Sequence, residues 1–69
     1  MELNLYLENG KTLIFENVTD LKQESYVTGL VVFNYVSELD GKKKKAIFST
    51  KDVLGLSVDK EDFDVESLF

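Results

Sequence analysis

The chain contains no cysteine, no histidine, no arginine and no proline. Without cysteine there is no disulfide, no thiolate metal site and no thiol nucleophile. Without histidine, the commonest zinc ligand and the commonest general base are both missing. Without arginine there is no bidentate guanidinium fork for phosphates or base edges. No phosphate-binding loop or dinucleotide fingerprint occurs, and no serine and lysine are set out as nucleophile and base. These absences argue against an enzyme, and no cofactor or metal is expected. No apolar run approaches the roughly 20 residues of a membrane span. Glu2 and Asn4 interrupt the segment where a signal peptide would be apolar, so a cytoplasmic protein is expected.

What remains is 69 residues with a net charge of −5. A chain of this length is one domain at most and buries only about 60% of its unfolded surface. Good packing and self-association are the remaining sources of stability. The charge is unevenly spread. Residues 1–52 hold seven lysines against eight acids, whereas residues 53–69 hold one lysine against five acids.

Leu3, Leu5 and Leu7 alternate with polar neighbours, the pattern of a half-buried strand. Asn9-Gly10 then separates this strand from a second, Lys11-Thr12-Leu13-Ile14-Phe15-Glu16, a hairpin signal. A three-residue loop with Gly10 left-handed pairs Leu5 with Leu13 and Leu3 with Phe15. It places four large apolar residues on one face and is preferred on burial. Asn17 to Ser25 is polar apart from Val18 and Leu21 and reads as a loop. Tyr26 to Val36 is the longest apolar stretch. Fully extended it would span roughly 36 Å, so it is expected to bend at Gly29, with Tyr26–Thr28 pairing with the second strand. Asp40-Gly41 marks a second hairpin, read as a two-residue turn pairing Phe33 with Phe48 and Glu38 with Lys43. Lys43–Ser49 and Val53–Val58 complete five strands.

The expected fold is all-β: a five-stranded antiparallel meander, or a small barrel of the SH3-like, Sm-like or OB-like kind. The alternative is an open sheet that completes its core by dimerising. Residues 1–58 form the domain and residues 59–69 an acidic C-terminal tail.

Three features bear on function. Lys42-Lys43-Lys44-Lys45 is either a phosphate-contacting arm or a set of charges that keeps a strand soluble and stops edge pairing; the acidic total and the absence of arginine favour the second. Tyr6, on the face opposite Leu3 and Leu5, is the aromatic with a candidate surface role, the other aromatics reading as core. In the tail, Asp59, Glu61, Asp62, Asp64 and Glu66 lack the spacing of a calcium loop. Among the tail's apolar residues Phe63, Val65, Leu68 and Phe69, the first, second and last fall at even spacings with acids between them, as in a peptide that adds to a sheet edge. They equally suit packing back on the domain, or a short amphipathic helix.

Some segments resemble known proteins. The hairpin with Gly10-Lys11-Thr12 is similar to the opening hairpin of ubiquitin, although the polar stretch after it replaces that family's long helix. Ser67-Leu68-Phe69 resembles the end of the bacterial sliding-clamp binding pentapeptide, with Val65 and Glu66 where that motif has Gln and Leu. The acidic run ending in Phe69 is similar to the interaction tip of bacterial single-stranded-DNA-binding proteins. Glu8-Asn9-Gly10-Lys11-Thr12, Phe15-Glu16-Asn17-Val18 and Val53-Leu54-Gly55-Leu56 together resemble small all-β proteins of Gram-positive bacteria and their phages, a likeness that implies no particular activity.

The leading expectation is a non-enzymatic protein-interaction module. It would bind another protein, or itself, through a sheet edge and the tail residues Phe63, Val65, Leu68 and Phe69. The alternatives are a nucleic-acid-binding small barrel using Lys42, Lys43, Lys44, Lys45 and Tyr6, and a structural subunit of a larger assembly.

Overall fold

The computed structural model describes residues 1–68. Six strands run in the order β1 (Leu3–Leu7), β2 (Thr12–Phe15), β3 (Thr19–Gln23), β4 (Leu30–Val36), β5 (Lys43–Ser49) and β6 (Val53–Val58), and a 3₁₀ turn, η1 (Val65–Leu68), follows. All pairings are antiparallel and form two three-stranded sheets, β2-β1-β6 and β3-β4-β5. The chain is therefore all-β, as expected, but with six strands rather than five. The two sheets stay open, so there is no barrel.

The first hairpin has the bulged register. Leu3 lies opposite Phe15 and Leu5 opposite Leu13, and Gly10 is left-handed at φ 83°. Leu3 and Leu5 point inward and are buried, and their partner Phe15 packs beside them. Leu13, nearer the turn, remains 43% exposed.

Two expectations for the middle of the chain need correction. The presumed loop before Tyr26 contains a strand, β3, which pairs with β4 through Lys22 opposite Val32 and Gln23 opposite Val31. An edge strand needs few apolar residues, and Leu21 alone enters the core. A bulge between Thr19 and Lys22 breaks its alternation. There Asp20 is left-handed at φ 56° and accepts a 3.0 Å hydrogen bond from Asn34 Nδ2. Conversely, Tyr26–Thr28 is part of the turn between β3 and β4, not a strand arm, and Tyr26 is fully out in solvent. Gly29 does bend the run, at φ 88°. Its carbonyl accepts both the Thr50 N–H at 2.8 Å and the Thr50 hydroxyl at 3.2 Å.

The second hairpin also differs from expectation. Phe33 lies opposite Ala46 and Val36 opposite Lys43, not Phe33 opposite Phe48. A six-residue loop replaces the two-residue turn. It is closed by Ser37 N–H to Lys42 O at 2.9 Å and Gly41 N–H to Ser37 O at 2.8 Å, and Asp40 Oδ1 accepts from Lys42 N–H at 3.0 Å. The shift of two residues keeps every side chain on its expected face, and Phe33 still meets Phe48 diagonally at 6.1 Å.

The two sheets enclose one core. Leu3 and Leu5 from one sheet meet Val18, Leu21, Val31 and Phe33 from the other side, and Leu68 closes the cluster. Each such side chain contributes roughly 1.5–3 kcal/mol when fully buried. The chain passes between sheets at Glu16–Val18, where Asn17 is left-handed at φ 53°. That corner is held by Val18 N–H to Met1 O at 2.8 Å and by Val36 N–H to Glu16 O at 3.3 Å. No helix among the described residues is long and apolar enough to cross a membrane.

Candidate functional site

Each sheet ends in two edge strands, and the four edges are guarded differently. β5 carries Lys43, Lys44 and Lys45, all exposed. β3 carries Asp20 and Lys22, is bulged, and lies against η1. β6 has a bulge facing Tyr6 and Leu7 that throws Leu54 outward, 72% exposed. Charges and bulges are the usual devices that keep an edge from pairing with another chain. β2, Thr12-Leu13-Ile14-Phe15, has neither: it holds no charge and pairs with β1 without a break in register.

The backbone of β2 is also turned the right way. Leu7 N–H donates to Lys11 O at 2.9 Å, which makes these two a hydrogen-bonded pair. Pairs alternate along an antiparallel ladder, so Leu13 and Phe15 also bond to β1 while Thr12 and Ile14 direct their N–H and C=O groups away from it. Glu16 is the next outward-facing residue, and its carbonyl accepts the bond from Val36 noted above. Ile14 is 61% exposed. Beyond it opens a groove of about 240 Å³ between β2 and the segment from Tyr35 to Leu39, whose Leu39 side chain is almost wholly in solvent. A larger depression of about 440 Å³ lies between β3 and Phe63. It marks the seam where the segment after β6 folds back, and β3 is already flanked there.

The corner beyond β2 is strongly acidic. Glu16 and Glu38 line the groove. Continuing the β1–β2 register places Glu2 opposite Glu16, and Glu2 N–H donates to Asp59 Oδ1 at 2.9 Å. A hydrogen bond with Glu2, some loss of solvent, and repulsion from Glu2, Glu38 and Asp59 together hold the Glu16 carboxyl above its usual range. Asp40 moves the other way. Its bond from Lys42 N–H lowers its pKa, and Lys44, at 3.5 Å, lowers it further.

The residues singled out in the sequence fall in separate places. Tyr6 lies on the outer face of its sheet, 40% exposed, with its hydroxyl 2.9 Å from Ser57 Oγ. Lys43 and Lys45 lie on the outer face of the opposite sheet, where Lys45 faces Asn34. The core separates the two, so Tyr6 and Lys42–Lys45 do not form one surface. Phe15, Phe33 and Phe48 turn inward. Leu68 is completely buried and Phe63 packs against the core, while Val65 is half-buried. Phe69 lies outside the described residues. Among the described residues no group of three or more acidic side chains is arranged to hold a metal ion.

Reasoning from the sequence missed both the β2 edge and the acidic corner. A usable signal was present: residues 12–15 carry no charge, whereas residues 42–45 are all lysine. The Glu2–Glu16 pairing also follows from the hairpin register once that is chosen.

No protein-family model, no curated protein and no solved structure matches this chain.

Proposed function

We propose that this chain is a non-enzymatic protein-interaction module that receives an extended segment of another protein along β2. One observation carries this reading: β2 is the only uncharged, unbulged edge strand among the described residues, with Ile14 61% exposed beside an open groove. An added strand would take up the outward N–H and C=O groups of Thr12 and Ile14. Main-chain bonds would supply affinity and the groove would select side chains. The lysines of β5 act as guards that direct docking to the other sheet. The acidic segment after β6 contributes long-range electrostatic steering, while Phe63 and Leu68 serve the fold.

The test uses the full ¹⁵N-labelled chain and three eight-residue peptides. Each has the same Val-Thr-Val-Thr centre, flanked on both sides by two lysines, two serines or two glutamates. At least one peptide is expected to shift the Thr12 and Ile14 amide resonances and leave those of β5 unchanged. If all three leave Thr12 and Ile14 unmoved, docking at β2 is wrong.

A further inference from the structure

We infer that the segment received along β2 is an apolar strand flanked by lysine or arginine. This rests on the docking reading above and adds the chemistry of the partner. Glu16 lies just past the end of β2, two residues after Ile14, and both line the groove. An added strand pairs with Thr12 and Ile14 and stops there, because Val36 N–H already bonds the Glu16 carbonyl; it sets one side chain beside Ile14 and brings the next residue on that face to the groove mouth by Glu16. The first position is apolar. The second meets Glu16 with Glu38 across the groove and Glu2 in the opposite strand. Leu13, on the other face and 43% exposed, asks for a second apolar contact.

The four carboxylates Glu2, Glu16, Glu38 and Asp59 take part in no ion pair among the described residues; the one such pair there joins Asp40 and Lys44. Lys11 sits at the far end of β2, and Lys42 and Lys43, which adjoin Ser37 and Val36 on the groove's other wall, form no ion pair with these carboxylates. The fold thus brings like charges together at the end of an apolar groove and leaves the balancing charge to come from outside. A second copy of this chain would bring a net charge of −5 to that corner, which favours a foreign basic segment.

The peptides above decide the matter. The lysine-flanked peptide is expected to bind the full chain most tightly, with its preference over the serine-flanked one narrowing at high salt. A Glu16→Gln/Glu38→Gln variant is expected to lose that preference, weakening the lysine-flanked peptide roughly fivefold for two exposed ion pairs. If the serine- or glutamate-flanked peptide binds at Thr12 and Ile14 as tightly as the lysine-flanked one, the inference falls while docking at β2 stands. If no peptide reaches Thr12 and Ile14, both fall. Shifts confined to Glu61–Glu66 would overturn the inference by placing the lysines on the terminal acids. Concentration-dependent shifts of Thr12 and Ile14 without any peptide would overturn it by placing a second copy on the edge.

Discussion

Phe15 and Phe33 meet edge to face, with ring centroids 5.0 Å apart and planes at 70°. One ring comes from each sheet, so this contact, with the matching one from Phe15 to Tyr35 at 5.0 Å, ties the two layers together. Phe15→Leu keeps an apolar side chain and removes both ring contacts. It is expected to cost about 1–3 kcal/mol, from lost aromatic pairing and lost volume. A chain of this size has roughly 3–10 kcal/mol in total. The loss would therefore show as a large drop in the urea midpoint at an unchanged slope.

Leu68 belongs to the core although it follows an acidic run. Leu68→Ala is expected to destabilise by about 2–5 kcal/mol, the range for a fully buried leucine. Val65→Ala, at a half-buried site, is expected to cost clearly less. A chain ending at Val58 loses Leu68 and Phe63 together and is expected to unfold without a sharp transition. Equal urea midpoints for Leu68→Ala and the parent would show that the terminal turn is not part of the folded unit.

Glu16 and Asp40 make opposite contributions to the pH dependence of stability. The Glu16 pKa is raised in the folded state, first by its hydrogen bond with Glu2, so the folded chain holds that proton more readily than the unfolded one. Its contribution is unfavourable at neutral pH. It is relieved as the pH falls through the folded Glu16 value toward the ordinary glutamate value. The Asp40 pKa is lowered, first by the Lys42 N–H. Its favourable contribution is complete above the ordinary aspartate value and is lost as the pH falls through the folded Asp40 value. Melting temperatures taken from neutral to acid pH are therefore expected to change in two places. Glu16→Gln removes the rise on the neutral side, and Asp40→Asn removes the fall on the acid side. A Glu16→Gln profile identical to that of the parent would contradict the crowding of acids at this corner.

The first hairpin was legible because only one register buries Leu3, Leu5 and Phe15 together. The inward face of β4 was legible from its aromatics, since Phe33 and Tyr35 fall on one side and read as core. The register of the second hairpin was not. A shift of two residues leaves the same side chains inward, so burial does not choose between registers, and the bonds around Ser37 and Asp40 decide. β3 was hidden because one buried leucine suffices for a bulged edge strand. Openness of the sheets was hidden as well, since no hydrophobic pattern reports whether the edge strands of two sheets pair. The candidate site is an absence of charge in β2 together with a meeting of acids from four separate segments. The absence could be read from the sequence, whereas the meeting required the fold.

The pairing of β6 with β1 has a consequence for how the chain folds. Leu3 lies opposite Val58, so the sheet that contains β2 joins the first strand of the chain to the last. The other sheet is a meander of neighbouring segments, β3-β4-β5. Local contacts cost little loop entropy and form early, while distant ones form late. The meander and the β1–β2 hairpin are thus the natural early elements, and the sheet β2-β1-β6 is complete only after β6 arrives. Folding should be slow for so short a chain. Substitutions in β6 should mainly speed unfolding, whereas those in β4 should slow folding.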